Sequence, residues 1–585
     1  MAGGMTATDS TGHRGRVRLF LALFVIALAA YPAWLTRFDL VNDTVSYLDM
    51  GDRFFAGDYA SIVNGTWGPL YAILLGAWLR VLRPAPEWEY PAIHVLLFLV
   101  FMFCVACFDY FLAALLEFRE RQAGADGEDD GSGSALTIIG YAIFAWSALV
   151  LVGINETNPD MLVAAWIFLG SACTLRIHSR GGGWPAIGGL GIVVAGSYLT
   201  KVATLPVGAL FIVAAALAGR DLRTRLQLGM VGALVAGLLS LPYVIALSAR
   251  HGGLTVSQSG QYNYAVHVNG VAARHWQGDT PGAGQPLHAT RQLLHSPAVF
   301  EFGTPLPGTY PYWFDPSYWY EGVKTPFDWT HQRLAALRNA TAFVSLLYAI
   351  NCGPLAVFIL LQSLSLSAGS IRRLTRYWIV LLPAAASLVP YVLIHWETRY
   401  LAGGVCVLFV TAIASAQLPS WPTTRHIYSA AAVVVAVLFF LPGGPSSTAS
   451  ILGFWQAVRL RWPQSENVYW SAASALNEAG FPPGTKVATI EFGDMSHIMW
   501  ARLARVQIVA EVYYQPDAPH DHYPRERQEA VRNFFWSDPP EAQQRALVAL
   551  KSAGARVLVT AETPHGPGAE QWRQLSRSGY YYLVL

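Results

Sequence analysis

The chain has 585 residues, of which 54% are hydrophobic and only 13% are charged. Soluble domains have roughly 25% charged residues, so this composition excludes an ordinary soluble protein. The net charge of +2 excludes the large basic excess typical of nucleic-acid-binding proteins. The composition therefore predicts a polytopic α-helical membrane protein, with the lipid bilayer and no nucleic acid among its partners.

Long apolar runs recur along the chain, and about 20 apolar residues in a helix cross ~30 Å of hydrocarbon. The first run, 19–36, follows Arg14, Arg16 and Arg18, which place the amino terminus in the cytoplasm. Ten further runs lie at 92–116, 135–153, 159–176, 183–199, 203–219, 227–247, 340–364, 377–395, 400–418 and 426–442. The sequence thus predicts about eleven transmembrane helices.

Arginine gives the orientation, because cytoplasmic loops are enriched in Lys and Arg. With eleven spans, the side of the amino terminus receives the arginine-bearing connections at 119–121, 176–180, 220–225, 372–376 and 425. The opposite side receives the segment 37–91, the loop 248–338 and everything after residue 442. We therefore expect an inner (plasma) membrane protein with a cytoplasmic amino terminus and an extracytoplasmic carboxy-terminal domain.

The outer segment 37–91 contains an apolar stretch, 69–83, that is too short to span the bilayer. The orientation given above requires this stretch to stay on the outer side. We expect it to form a tilted or re-entrant helix, one of the outer juxtamembrane helices of a transmembrane module over residues 1–442.

The segment 443–585 has a different pattern. Short β-rich runs at 486–492, 505–512, 556–560 and 580–585 alternate with helical patterns at 540–553 and 568–576. Alternating strands and helices are typical of a largely parallel sheet. The segment is therefore predicted to be an extracytoplasmic α/β domain.

Asp43 follows the first span and is a candidate general base. At helical spacing it shares a face with Tyr47, Met50 and Phe54. A carboxylate desolvated at the membrane surface can accept a proton from a hydroxyl. Asp is also favoured as a helix N-cap. The spacing leaves both interpretations open.

Polar residues also interrupt the apolar runs on the outer side. Asn158 or Asp160 is expected to cap the helix that follows, Asp160 being favoured, with Pro159 at or near its first turn. Asp160 is also a candidate for orienting the substrate. Glu156, before that turn, is expected to orient a substrate or to pair with a base. Lys201 breaks another apolar stretch, and a compact ammonium suits a phosphate. A lysine that snorkels to the interface is the alternative.

A second polar turn, His395-Trp-Glu-Thr-Arg-Tyr400, lies on the same predicted side. Arg399 is predicted to be a second anion ligand, with Glu397 holding its guanidinium. Glu397 and Tyr400, like Tyr47, are candidates for orienting the substrate. An interfacial ion pair among aromatic residues is the alternative interpretation.

The outer loop 248–338 is rich in aromatic rings. Such rings bind sugars by stacking on them, and neighbouring carboxylates bind the sugar hydroxyls. The loop is predicted to form a lid, although the same rings also fit packing onto the bilayer surface. Its candidate sugar-binding residues are Tyr264, His267, Asp315, Tyr318, Trp319 and Glu321.

These features, in this order, resemble the C-type (GT-C) glycosyltransferase superfamily, in particular the aminoarabinose transferases and protein O-mannosyltransferases. The likeness covers residues 17–440. The points of likeness are Asp43-Thr-Val-Ser-Tyr47 with Gly57-Asp58 after it, Trp67-Gly-Pro-Leu-Tyr71, Leu199-Thr-Lys201 and Arg399-Tyr400. Thr44 stands where many members have a second acid, and Ser46 where others have a basic residue.

The resemblance implies that Asp43 is the catalytic base and that Lys201 and Arg399 bind the phosphate of a polyprenyl-phosphate sugar. The sugar would move, with inversion, to a hydroxyl of a glycan, lipid or protein acceptor. Trp67 and Tyr71 are further candidate sugar-binding aromatics. No nucleotide cofactor is expected, and no metal.

Two other classes use similar residues. A transporter or flippase of lipid-linked or small polar substrates also needs charges within the membrane, but such proteins show two related halves with interrupted helices. No related halves are evident in this sequence. A receptor or assembly factor with a degenerate site would lack donor-dependent activity.

Overall fold

The structure is a computed structural model, and its described residues form two compact units. The described ranges are 7–123, 132–278, 280–303, 305–349, 353–365, 369–418, 421, 423–441, 450–461, 466–491, 495–513 and 534–585. Unit 1 comprises 1–37, 94–256 and 327–463, and unit 2 comprises 38–93, 257–326 and 464–585. The predicted start of the carboxy-terminal domain, at 443, lies outside the described residues.

The described residues form helices α1 to α23 and strands β1 to β7. The helices, in chain order, are Ala7–Leu35, Asn42–Phe55, Pro69–Leu82, Glu89–Ala123, Gly133–Trp146, Asp160–Arg180, Trp184–Thr200, Leu205–Ala216, Leu222–His251, Ser259–His267, Pro311–Phe314, Trp329–Ala349, Gly353–Leu364, Gly369–Arg376, Trp378–Ala386, Val389–Leu393, Thr398–Ala414, Thr424–Phe440, Ile451–Arg461, Val468–Glu478, His497–Ala504, Phe534–Ser537 and Pro540–Ser552. The strands are Arg291–His295, Ala298–Glu301, Lys486–Glu491, Gln507–Tyr513, Val557–Thr560, Arg573–Gln574 and Tyr581–Val584.

Apolar helices follow the predicted runs, because in hydrocarbon a helix satisfies its own backbone groups. Among the described residues, five helices are long and apolar enough to cross a membrane: Arg14–Leu35, Pro86–Gln122, Gly133–Gly153, Asp160–Arg180 and Leu222–His251. Shorter apolar helices are Pro69–Leu82, Trp184–Thr200, Val202–Ala216, Gly353–Leu364, Trp378–Leu393, Thr398–Ala414 and Thr424–Phe440. These helices make the chain a membrane protein, while the count of about eleven crossings stays a prediction.

Two predicted runs differ from the observed helices. The run 340–364 falls on α12 and α13, and residues 350–352 between them lie outside the described part of the chain. The run 377–395 is divided into α15 and α16. Pro390 stands in the first turn of α16 and has no amide hydrogen to continue the helix from α15.

Small residues in unit 1 let its helices approach closely. A Cβ atom on Gly403 of α17 would lie 3.0 Å from Cα of Ala164 in α6, and one on Gly404 would lie 3.0 Å from the carbonyl oxygen of Ala384 in α15. Helices in lipid commonly associate through such small residues. This contact fixes the beginnings of α6 and α17, where several candidate residues lie.

Unit 2 contains a seven-stranded sheet in the order β1-β2-β4-β3-β5-β7-β6. Only β3–β4 and β3–β5 pair in parallel, and the other pairs are antiparallel. The prediction of a largely parallel sheet is therefore wrong. The reason is that β1 and β2, from the loop 248–338, form a hairpin on one edge, and β6 and β7 form another.

The segment 568–576 is not the predicted helix. It contains a single 3₁₀ turn, Ala569–Gln571, followed by β6, which pairs with β7. Gly568 precedes the turn with φ of 85°. Only four residues separate Gly568 from β6, so the chain leaves the turn at once and pairs with β7 at the edge of the sheet.

A buried ion cluster joins α2, α4 and α21 within unit 2. Arg502 of α21 is almost fully buried and donates to Asp49 Oδ1 at 2.7 Å and to Glu89 Oε1 at 2.9 Å. Its Nη2 lies 2.6 Å from Asp52 Oδ2, and Arg505 also pairs with Glu89. Burial raises the pKa of the Asp49 carboxyl, and the charge of Arg502 offsets part of that shift.

A second buried network joins the loop 248–338 to the sheet. His275 stacks on Phe300 of β2 with ring centroids 4.0 Å apart, and its Nε2 lies 2.5 Å from Oε1 of Glu511 in β4. Tyr310 donates to the other oxygen of Glu511 at 2.9 Å. Burial lowers the pKa of His275, and Glu511 offsets only part of the shift.

The cluster around Arg502 predicts a large effect of substitution. Arg502→Met leaves Asp49 buried without its cation and leaves Glu89 with Arg505 alone, and breaking a buried pair costs about 3–5 kcal/mol. We expect the free energy of unfolding, measured by denaturant titration in detergent, to fall by about that amount. Arg505→Met, whose side chain is 39% exposed, is the control and should cost at most about 1 kcal/mol. Equal losses in the two variants would contradict the prediction.

The network around His275 predicts a dependence on pH. Because the folded pKa lies below the unfolded value of about 6.5, the unfolded state binds more protons in that interval, and stability falls as the pH falls through it. His275→Gln should be less stable than wild type near pH 8 yet lose less stability between about pH 8 and pH 5. Thermal unfolding followed by tryptophan fluorescence at several pH values tests this, and parallel curves for the two proteins would refute it.

Candidate functional site

In unit 1, Lys201 forms an ion pair with Asp160. Lys201 lies between α7 and the 3₁₀ turn Val202–Thr204, and its Nζ donates to Asp160 Oδ1 at 2.6 Å. Asp160 is the first residue of α6, and the N-cap position is taken by Pro159. The prediction that Asp160 caps this helix is therefore wrong, because its carboxylate pairs with a lysine 41 residues away.

Arg399, at the beginning of α17, lies among three carboxylates. Its Nη1 donates to Glu156 Oε2 at 2.9 Å, and its Nε lies 3.1 Å from Glu397 Oε2 and 3.5 Å from Asp160 Oδ2. Asp160 thus neighbours both cations. The ring of Tyr400 also faces both, with Nζ of Lys201 3.7 Å and Cζ of Arg399 5.2 Å from its centroid.

We call this group of six residues the cation cluster: Glu156, Asp160, Lys201, Glu397, Arg399 and Tyr400. Its formal charge is −1 when three carboxylates and two cations are ionised. Burial raises the pKa of Glu156, and the charge of Arg399 offsets part of the shift. Burial also opposes ionisation of Glu397, but His395, Arg399 and Lys201 together hold the pKa of that carboxyl below its usual range.

In unit 2, Asp43 is the second residue of α2, since the helix begins at Asn42 and Val41 is the N-cap. The alternative that Asp43 is itself an N-cap therefore does not apply. Trp313 Nε1 donates to Asp43 Oδ1 at 3.1 Å. The positive end of the helix macrodipole further stabilises a negative charge at this position.

Aromatic rings surround this part of α2, and we call Tyr47, Trp67, Tyr71 and Trp313 the aromatic cluster. The ring centroid of Tyr47 lies 5.4 Å from Trp67 and 5.0 Å from Tyr71, and Trp67 lies 6.0 Å from Trp313. Tyr47 and Tyr71 are buried. The structure thus brings together Asp43 with three aromatic residues predicted from the sequence.

Helices α2 and α3 are in backbone contact. A Cβ atom on Gly51 would lie 2.6 Å from the carbonyl oxygen of Ala72, and one on Gly76 would lie 2.8 Å from Cα of Gly51. Neither glycine can be replaced without moving a helix. This contact holds Tyr71 against Tyr47 and so shapes the aromatic cluster.

The candidate sugar-binding residues Asp315 and Trp319 of the loop 248–338 are buried in contacts with other residues of the protein. Asp315 is fully buried and accepts from Ser317 Oγ at 2.6 Å and from the backbone amide of Gly65 at 3.2 Å. Trp319 is also buried, and its ring stacks on Tyr312 with centroids 5.4 Å apart. Asp315 therefore holds the loop against Gly65, while Trp319 packs within the loop itself.

The remaining loop candidates are more accessible. His288 Nε2 lies 2.8 Å from Glu321 Oε2. The ring of His288 stacks on that of Tyr318, with centroids 3.9 Å apart. Tyr264 and His267 lie on α10 and are partly exposed. Their role in sugar binding stays a prediction.

Sequence reasoning missed Trp313 and Arg502. Trp313 lies inside the aromatic run 310–320. The run identified this segment as important but did not identify which of its rings donates to Asp43. Arg502 lies in a helix whose residues are all buried. A lone arginine in such a helix requires buried carboxylates, a signal the sequence does contain.

Solved structures similar to this chain include those of an archaeal oligosaccharyltransferase and of ArnT. The oligosaccharyltransferase of Archaeoglobus fulgidus in its apo form aligns over 93% of this chain and 69% of its own, with 13% identity and a TM-score of 0.50. Its complex with zinc and sulfate aligns over 93% and 67%, with 13% identity and a TM-score of 0.48. ArnT from Cupriavidus metallidurans in the apo state aligns over 96% and 97%, with 12% identity and a TM-score of 0.40.

No family model matches the chain, and no curated protein matches it. The likeness to the apo oligosaccharyltransferase is therefore one of fold. At the level of fold, the resemblance to C-type glycosyltransferases predicted from the sequence is confirmed.

Proposed function

We propose that the chain is an integral-membrane glycosyltransferase that moves a sugar from a polyprenyl-phosphate donor to an acceptor hydroxyl on the extracytoplasmic face. The observation that carries this proposal is the fold shared with an archaeal oligosaccharyltransferase. Since one fold can host several activities, the chemistry is assigned through the aromatic cluster, Asp43 and the cation cluster.

Asp43 is the base in this proposal. It takes the proton from the acceptor hydroxyl as that oxygen forms a bond to the anomeric carbon. Trp313 fixes the orientation of its carboxylate through the bond to Oδ1. Trp67, which is partly exposed, offers an aromatic face on which a sugar can stack.

Lys201 and Arg399 bind the polyprenyl phosphate, which is the leaving group in this proposal. As the bond from the anomeric carbon to the phosphate oxygen breaks, its electron pair stays with the phosphate, which gains negative charge. The guanidinium of Arg399 can bind two phosphate oxygens at once, and Lys201 supplies a point charge. A single displacement of this kind inverts the anomeric centre and requires no nucleotide.

Removing the carboxylate charge tests the assignment of the base. Asp43→Asn keeps the shape of the side chain but cannot accept the proton, so transfer of radiolabelled sugar from polyprenyl phosphate should fall at least ~100-fold. The free energy of unfolding should fall by no more than about 1 kcal/mol, the value of the lost interaction with the helix dipole. Glu541→Gln, an exposed acid of unit 2, should transfer normally.

Undiminished transfer by Asp43→Asn would remove Asp43 from the mechanism. Movement of a lipid-linked sugar across a vesicle membrane, with no transfer from any donor, would instead identify a transporter and contradict the proposed function.

Replacing the guanidinium by an ammonium tests the phosphate site. Arg399→Lys keeps the charge but loses bidentate binding, so the affinity for polyprenyl phosphate itself should fall about tenfold or more. Arg333→Lys, an exposed arginine of unit 1, is the matched control and should bind normally. Direct binding of the sugar-free lipid is the readout, since it does not depend on Asp43. Equal affinities in wild type and Arg399→Lys would contradict the assignment.

A further inference from the structure

A cavity of about 320 Å³ lies in unit 2 where α2 and α3 end. Three arginines line it, Arg80, Arg83 and Arg505, together with the carboxylates of Asp52 and Glu89. The formal charge of this lining is +1. The cavity lies at the opposite end of the two helices from Asp43 and the aromatic cluster.

The carboxylates of the cavity already have cations. Glu89 pairs with Arg505 and with the buried Arg502, and Asp52 lies 2.6 Å from Arg502 Nη2. By contrast, within the described part of the chain, no hydrogen bond or ion pair involves the side chain of Arg80 or Arg83. Both residues are exposed. Two guanidinium groups at the rim are therefore left for an external anion.

Arg83 holds an uncommon backbone conformation. It ends α3 with φ of 46°, in the left-handed region where glycine or asparagine is usual. Arg505 ends α21 in the same region, with φ of 57°. Two arginines in this conformation line one cavity. At each position glycine would be easier to accommodate. The ion pair with Glu89 explains the guanidinium of Arg505, whereas no contact within the described residues explains that of Arg83.

Large apolar side chains beside these arginines are exposed. The exposed fraction is 77% for Val81, 48% for Leu82 and 56% for Trp88. Phe55, at the wall of the cavity, is also exposed. Exposed Trp and aliphatic residues next to arginines are typical of a bilayer interface. The ligand must therefore combine an anionic group with an apolar body.

We propose that this cavity binds the phosphate of an anionic phospholipid head group, with Arg80 and Arg83 as its ligands. Arg505 stands behind them and is held in place by Glu89. A phosphate diester suits two guanidinium groups, because each can donate two parallel hydrogen bonds to its oxygens. The acyl chains would lie along Val81, Leu82 and Trp88. The inference does not depend on the proposed transferase activity.

The experiment uses the full chain, purified in detergent and titrated with phosphatidylglycerol, with bound lipid counted by native mass spectrometry. Phosphatidylcholine and inorganic phosphate are the comparison ligands. We expect saturable binding of phosphatidylglycerol, little binding of phosphatidylcholine, and binding about tenfold weaker in Arg80→Gln combined with Arg83→Gly.

The single variant Arg83→Gly separates binding from folding. Glycine adopts the left-handed conformation freely, so this variant should unfold at no lower temperature than wild type while it loses affinity for phosphatidylglycerol. Arg573→Gln, an exposed arginine on the edge strand β6, should bind like wild type.

Three results would overturn the proposal. Equal affinity for phosphatidylglycerol and phosphatidylcholine would show that the cavity does not select the net negative charge of the head group. Unchanged affinity in the double variant would place the lipid elsewhere. Inorganic phosphate that competes at the same concentration as phosphatidylglycerol would show a site for a soluble anion instead of a lipid.

Discussion

The carboxylate of Asp160 is the constraint on which unit 1 depends. A cation in a low-dielectric environment must be paired, and Asp160 lies next to both Lys201 and Arg399. These residues belong to three segments: the beginning of α6, the break after α7 and the beginning of α17. One buried acid therefore fixes three helix ends, and the contact of Gly403 with α6 keeps two of them at the distance this pairing needs.

The same pairing has a consequence for the proposed chemistry. A sugar linked to polyprenyl phosphate through a phosphate diester has one negative charge, whereas the departing lipid phosphate approaches two. The cations bind the first only weakly, because Asp160 and Glu397 already occupy Lys201 and Arg399. As charge develops on the leaving oxygen, the phosphate competes better with these carboxylates. Stabilisation would thus increase toward the transition state, which is what catalysis requires.

Sequence reasoning succeeded where the signal was local. The apolar runs fell on helices, α2 formed where the Asp43 pattern predicted it, and the four predicted strands after residue 485 lay within a few residues of their predicted bounds. It failed where the partner is distant. Helix-start statistics favour Asp160 as a cap, but a lysine 41 residues away offers a stronger bond. Arg502 pairs with residues more than 400 positions away in the sequence. The sheet is not largely parallel, in part because a distant loop contributes β1 and β2, which add antiparallel pairs.

Helices α2 and α3 connect the two proposals made for unit 2. They run parallel, since Tyr47 faces Tyr71 at one end while Phe55 and Arg80 line the same cavity at the other. Gly51 and Gly76 hold the two backbones in close contact between these ends. Asp43 is therefore presented by an element whose other end has the unpaired arginines. An element anchored there by a lipid head group would hold Asp43, the proposed base, at a fixed depth in the membrane interface.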